Sequence, residues 1–201
     1  MSEDKTSGFP GSTPREAPRP QQGGIENVRI AISGKSGCGN TTVSRLAAET
    51  LGLRFINFTF RSLAEEKGMS LAEVLPLAEK DDSWDREVDR RQVALARQDG
   101  GCVLGSRLAI WMLDEADLKV FLTARPETRV ERILKREGGE RAAVAAFTEQ
   151  RDERDRERYI RLYNIDNDDY AFADLVIETD DLTPQEIAAL IINRLKQKFA
   201  L

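Results

Sequence analysis

The run Gly34-Lys35-Ser36-Gly37-Cys38-Gly39-Asn40-Thr41-Thr42 combines glycines and hydroxyls at the spacing of a phosphate-binding loop. It follows an apolar, β-branched stretch, Val28-Arg29-Ile30-Ala31-Ile32, and leads into helical periodicity from Thr41 to Leu51. A glycine-rich turn between a strand and a helix aims backbone N–H groups and the positive helix end at a polyphosphate. The usual pattern, G-x-x-x-x-G-K-[ST], asks for lysine at position 40, where this chain has Asn40. Thr41 keeps the hydroxyl that such loops offer to Mg²⁺. Lys35 stands five positions before the missing lysine. Two readings of it are open: its ammonium folds back onto the β- and γ-phosphates, or it is an exposed loop lysine. The loop itself is either a working nucleotide cradle or a remnant joining a strand to a helix.

The second cluster is Arg151-Asp152-Glu153-Arg154-Asp155-Arg156-Glu157-Arg158. On a helix, positions 151, 154 and 158 share one face and Arg156 points away. Guanidiniums gathered on one face suit planar, bidentate capture of phosphate oxygens. The bland reading is a solvated helix laced with i,i+4 ion pairs. Arg61 and Arg107 follow the second and third expected strands, at the sheet edge where open parallel sheets hold ligands, and should face the loop. Arg29, inside a strand, reads as structural. Asp85 and Asp89 lie one helical turn apart and either orient a ligand or pair with Arg86, Arg90 or Arg91; pairing is the favoured reading for Asp85. Trp84 and Trp111 read as packing residues, with base stacking as the alternative.

Bringing these groups together requires an α/β chain. Expected strands cover 27–33, 53–58, 101–105, 117–122 and 174–178, each a short apolar run between polar or turn residues. Expected helices cover 41–51, 71–79, 84–98, 127–136 and 141–163, with a last one opening at Thr183. Ser70…Glu73 and Thr183…Glu186 are capping boxes, the second with Pro184 at the first helical position. Strands separated by helices imply right-handed crossovers and a five-stranded parallel sheet flanked by helices. Residues 1–24, rich in Pro, Gly, Ser and Thr, are expected to be a disordered extension, with a partner-binding segment at Pro18-Arg19-Pro20 as the alternative. One domain should then occupy 25–201.

Composition narrows the chemistry. A net charge of -5 over 201 residues argues against a nucleic-acid polymer as partner. Histidine is absent, which removes His-dependent triads and most zinc sites. Phosphoryl transfer, resting on positioning and charge neutralisation, loses nothing by that. There are two cysteines, no secretory signal pattern and no long apolar run. The expectation is a cytoplasmic, monomeric protein with free thiols and no membrane contact.

Taken in order, the loop Gly34–Thr42, the run Phe60-Arg61-Ser62-Leu63-Ala64-Glu65-Glu66-Lys67-Gly68-Met69-Ser70, then Asp89-Arg90-Arg91-Gln92, Ser106-Arg107-Leu108-Ala109 and Arg151-Asp152-x-x-Asp155-x-x-Arg158…Tyr163 resemble the cytidylate (CMP) kinase family. The closer likeness is to its short, archaeal-type branch, and it runs from Val28 to about Leu195. The R-D-x-x-D-x-x-R motif combined with F-R-x-x-A is more specific than the loop alone. The resemblance implies a P-loop nucleoside-monophosphate-kinase fold with a CMP-binding region at about 60–98 and a helical lid at about 138–163. It implies reversible transfer of the ATP γ-phosphoryl group to CMP or dCMP, with Mg²⁺, giving ADP and CDP or dCDP. By matching position, Arg61 and Arg107 would hold the acceptor phosphate, and Asp155 and Arg158 would contact the CMP sugar and phosphate. Arg151 would close over the transferring group, and Thr41 would meet the metal. Lys35, Arg151 and Arg158 are thus the catalytic candidates. Asp89, Gln92 and Ser106 are candidates for reading the base, Asp89 first because a carboxylate accepts from the cytosine amino group. Two positions depart from the family pattern: Asn40, and Gly105 where relatives often carry an acid. They motivate the alternative of a non-catalytic nucleotide-binding regulator. A small-molecule kinase of the same fold is the other alternative.

Overall fold

Strand order, more than any single element, decides where a ligand can sit. In the computed structural model, which describes residues 24–98 and 100–200, all five strands are parallel in the order β2-β3-β1-β4-β5. The expected extension at 1–24, apart from Gly24, lies outside the described residues. The chain runs β1 (Arg29–Gly34), α1 (Asn40–Leu51), β2 (Arg54–Ile56), α2 (Phe60–Glu66), α3 (Leu71–Ala78) and α4 (Ser83–Arg97). It continues β3 (Cys102–Gly105), α5 (Ala109–Met112), β4 (Leu118–Thr123), α6 (Pro126–Glu137), α7 (Arg141–Tyr163), β5 (Leu175–Glu178) and α8 (Pro184–Phe199). β1 lies in the middle, with β3 on one side and β4 on the other, so the chain leaves it in opposite directions. The crevice beyond the carboxyl end of such a strand is where open parallel sheets bind ligands.

Alternation along the strands builds two cores. Ile30, Ile32, Val103, Leu118, Val120 and Leu122 face α1 and α8, meeting Val43, Ala48, Ile187, Ile191 and Leu195. Ala31, Cys102, Leu104 and Phe121 face the other way, meeting Val93 and Ala96 of α4, Ile110 of α5 and Leu113 at its end. A sheet covered on both faces reads as near-continuous apolar runs, which is why the strands were legible. Strand ends differ from expectation by at most two residues. β2 is the shortest, because Asn57 turns toward α1 and Thr59 already caps α2.

Local chemistry sets the helix ends. The two expected capping boxes, Ser70–Glu73 and Thr183–Glu186, are both formed. A third, Thr59–Ser62, opens α2, which the sequence reading missed because serine stands in for the usual Glu or Gln. α5 was also missed; one turn is too short to show periodicity. Gly138 and Gly139, both at positive φ, separate α6 from α7. Glu140 caps α7 through the Ala143 N–H, and Asn164 ends it in the left-handed region.

Candidate active site

At the end of β1 every loop carbonyl from 34 to 38 has a hydrogen-bond partner, two of them within the loop. The Gly34 carbonyl accepts from Asn40 Nδ2 at 2.5 Å. The Lys35 carbonyl accepts from the Cys38 N–H, and the Ser36 carbonyl from Arg129 Nε at 2.6 Å. The Gly37 carbonyl accepts from Arg132 Nη1 at 3.3 Å and the Cys38 carbonyl from Thr179 Oγ1 at 3.4 Å. Gly39 heads α1 without any side-chain cap, at φ 100°. The first N–H groups of α1 therefore face the cleft with no partner of their own, the arrangement that binds an anion. Asn40 is accounted for: it ties the ends of the loop together, and its Oδ1 stays buried without a partner.

Lys35 lines the cleft, but its ammonium lies on Asp168 Oδ1 at 2.6 Å, in the turn after α7. Asp168 and Asp166 in that turn also receive Arg156. That pair holds the Asp166 carboxyl down at about 2, chiefly through the Arg156 hydrogen bonds. Thr41 is exposed at the loop exit and accepts from Asn57 Nδ2 at 3.2 Å.

A cleft of about 500 Å³ opens over the loop. Gly34, Ser36, Gly37, Gly39, Asn40, Thr41 and Thr42 line it on one side, and Arg61, Arg107, Arg151 and Arg158 on the other. Cys38 does not; it is buried under the loop, where burial raises its thiol pKa. Arg154 is exposed and lies outside the cleft, so the expected three-arginine face reduces to Arg151 and Arg158. Position 154 sits on the edge of that face and turns outward. Asp155 is buried between the inward arginines, 3.0 Å from Arg107 and 2.7 Å from Arg158. Asp85 completes the chain at 3.4 Å from Arg158. The expected local pairing of Asp85 with Arg86, Arg90 or Arg91 does not form: Arg90 meets Glu87, Arg91 meets Glu66, and Arg86 lies over Tyr163. Burial raises the Asp85 carboxyl, and Arg158 offsets part of that. Arg151 and Arg61 have no ion pair among the described residues. Burial, then the Arg107 charge, lowers the Arg151 pKa, so an uncompensated cation faces the cleft.

The far wall is built by α4. Asp89 accepts from the Tyr163 hydroxyl at 2.7 Å and from Gln92 Nε2 at 3.4 Å. Burial pushes its carboxyl up to about 6. The Gln92 Oε1 is buried with no partner. Two acceptors thus stand together on a wall that also carries Asp85 and Val88, with the apolar Leu71 and Leu75 of α3 beside it. Ser106 lines the same cleft. Trp84 packs with Phe58, Leu63 and Val88, and Trp111 with Phe121 and Phe172; neither lines the cleft. Arg29 is structural, donating from Nε to the Ala96 carbonyl at the end of α4.

Gly105 has a physical reason. A Cβ there would stand 2.5 Å from Ser44 Oγ and 2.7 Å from Ser44 Cβ, so α1 already fills the place of a side chain. Sequence reasoning missed Arg129, Arg132, Arg136 and Asn57. The arginines belong to α6, where R-x-x-R on an amphipathic helix reads as a solvated face. Asn57 directly follows β2, the position that could have suggested it.

Residues 29–181 match the model of the cytidylate kinase-like family. The chain is 45% identical over 175 residues to "Cytidylate kinase 2" of Borreliella afzelii, covering 85% of this chain and 98% of that protein. It is 42% identical over 168 residues to a cytidylate kinase of Pyrococcus horikoshii, covering 83% and 87%. Among solved structures, a shikimate kinase from Bacteroides thetaiotaomicron superposes with TM-score 0.58 at 19% identity, over 87% of this chain and 99% of that one. A deoxyadenosine kinase from M. mycoides with bound dATP gives 0.52 at 15%, over 84% and 100%. These structural likenesses show the fold: a P-loop kinase sheet with helices on both faces.

Proposed function

Because the chain belongs to the cytidylate kinase-like family, we propose that it transfers the γ-phosphoryl group of ATP to CMP or dCMP, giving ADP and CDP or dCDP. The observation that carries this reading is the facing of two phosphate sites across one cleft. On one side is a loop whose carbonyls already have partners while the first N–H groups of α1 do not; on the other are Arg107 and Arg158, held by buried carboxylates, with Arg61 at the rim.

The acceptor phosphate is already nucleophilic at neutral pH, so the missing histidine costs nothing. The work is alignment and charge neutralisation. The loop N–H groups and the start of α1 take the ATP phosphates. Lys35 exchanges Asp168 for a phosphate oxygen, supplying the charge that Asn40 does not carry. Arg61, Arg107 and Arg158 hold the CMP phosphate, and Asp155, expected to meet the sugar but buried and not lining the cleft, orients the last two instead. Arg151, half-buried and unpaired, meets the charge that spreads over the transferring group. α7 acts as the lid over the cleft, and its closure excludes water. Asp89 and Gln92 Oε1 accept from the cytosine amino group; uracil would set a carbonyl oxygen against the Asp89 carboxylate and leave the buried Gln92 Oε1 unpaired.

Among the described residues no His, Cys, Asp and Glu cluster holds a metal by itself. A Mg²⁺ ion brought in with ATP would keep most of its waters and bind mainly to the phosphates, needing few protein ligands. Thr41 Oγ1 would hold it, keeping a second lone pair beside the one Asn57 uses. Such an ion would neutralise part of the phosphate charge. No helix among the described residues is long and apolar enough to cross a membrane. Cys38 and Cys102 are free and buried, which suits a reducing compartment, and we place the protein in the cytoplasm as a monomer.

An ADP-release assay with ATP–Mg²⁺ and, separately, CMP, dCMP, UMP, AMP and shikimate tests the reading. CMP-dependent release supports it. Nucleotide binding without release on any acceptor would support a regulator instead, and release only on shikimate a small-molecule kinase.

A further inference from the structure

One side chain under the phosphate loop is bonded in two directions. Arg129 on α6 is 7% exposed. Its Nε donates to the Ser36 carbonyl at 2.6 Å, and its two Nη atoms meet both oxygens of Asp152 on α7, at 2.7 and 2.9 Å. The loop lies directly on it: a Cβ at Gly37 would stand 2.9 Å from Arg129 Cβ, and Gly37 sits at φ 86°. No cleft contact is made by Arg129 itself.

The position of Asp152 gives this contact its meaning. It adjoins Arg151, which lines the cleft with no ion pair among the described residues, and successive helical residues differ by about 100° in direction. A planar, bidentate fork on Asp152 therefore fixes the rotation of α7 about its own axis, and with it the direction of Arg151. The same guanidinium holds the Ser36 carbonyl outward, which keeps the neighbouring loop N–H groups turned toward the ligand. A buried ion pair gives little net stability against apolar replacement. Its use here is registration between two parts of the site that sit on different elements.

We propose that Arg129 is a positioning residue that sets the phosphate loop through Ser36 and aims Arg151 through Asp152. The second half rests on the reading of Arg151 as the group that meets the transferring phosphoryl.

The test uses the full chain with ATP–Mg²⁺ and CMP, in four variants: Asp152→Asn, Arg129→Lys, Arg151→Ala, and Arg151→Ala with Asp152→Asn. ADP affinity by calorimetry gives a readout free of catalysis. Asp152→Asn should lower kcat roughly tenfold or more, as expected for a misaimed group, with ADP affinity unchanged within about twofold. Arg129→Lys should lower kcat similarly and also weaken ADP by roughly fivefold or more, because the Ser36 carbonyl loses its partner. In the Arg151→Ala background, Asp152→Asn should change kcat by less than about twofold, since its effect acts through Arg151. An unchanged kcat in Asp152→Asn, or the same loss in both backgrounds, would overturn the proposal. If Asp152→Asn does not fold, Asp152→Glu replaces it, with a smaller kcat loss expected and no loss refuting. Absence of turnover by the unmodified protein would refute the kinase reading alone. The ADP arm then decides: Arg129→Lys with unchanged ADP affinity overturns the role of Arg129.

Discussion

Asp89→Asn should make the protein more stable at neutral pH while impairing its recognition of CMP. Burial among Val88, Gln92, Tyr163 and the neighbouring Asp85 raises the Asp89 carboxyl from 3.8 to about 6, and the Tyr163 hydrogen bond, Arg158 and Arg107 recover only part. A rise of roughly two units corresponds to about 3 kcal/mol of folded-state penalty for the ionised form. Asp89 is half-buried, so solvent screening leaves about 1–2 kcal/mol. The sign follows from proton uptake: between pH 4 and 6 the folded state binds the proton more tightly than the unfolded chain. Stability therefore falls as pH rises through that window, and the full penalty is present at pH 7.5. Asparagine keeps an acceptor for the Tyr163 hydroxyl and does not titrate. Its melting temperature should exceed that of the unmodified protein by roughly 3–6 °C at pH 7.5, and the gap should shrink toward zero near pH 4. Thermal melts across pH 4–8 measure this directly. In kinetics, KM for CMP should rise in the unmodified protein below pH 6, where the acid no longer accepts from the amino group. That rise should vanish in the variant, whose KM is raised throughout. A variant less stable at pH 7.5, or a gap independent of pH, would refute this account of Asp89.

Other expectations concern the cations and the glycine beneath them. Lys35→Ala should lower kcat by one to several orders of magnitude, roughly the effect of losing one preorganised charge contact, whereas Asp168→Asn should tighten ATP modestly by freeing the ammonium. Calorimetry and steady-state rates on both variants check this, and a silent Lys35→Ala would contradict it. Arg151→Ala and Arg158→Ala should reduce turnover far more than Arg154→Ala or Arg156→Ala, whose outward side chains should matter by no more than about half a kcal/mol. Gly105→Asp should destabilise the fold by roughly 2–4 kcal/mol through its clash with Ser44, and Ser44→Gly should relieve much of that in chemical denaturation.

Periodicity and turn chemistry made most of the architecture readable. Strands buried on both faces announce themselves as apolar runs, and Ser70–Glu73 or Thr183–Glu186 mark helix starts by residue type alone. Partner choice was not readable. Asp85 has three arginines near it in sequence, yet the structure gives it Arg158 from a helix more than seventy residues away, because α4 and α7 meet across the cleft. Lys35 likewise has no sequence signal for Asp168. Arg129 and Arg132 were invisible for a different reason. Their spacing on α6 is the same whether the guanidiniums meet water or loop carbonyls, and only the packing of the loop over Gly37 distinguishes the two. Gly105 was read as a lost acid, whereas space against Ser44 explains it.

The central claim is a pyrimidine-selective transfer of phosphate onto a cytidine monophosphate. A competition reaction tests it most directly: ATP labelled in its γ-phosphoryl group, with Mg²⁺ and equal concentrations of CMP, UMP and AMP in one tube, products resolved at early times. Label should appear first and most in CDP, less in UDP, and least in the ADP formed from AMP, as expected if Asp89 and Gln92 Oε1 on α4 read the cytosine amino group. Label in AMP-derived ADP at or above that in CDP, or label only in free phosphate, would contradict the account.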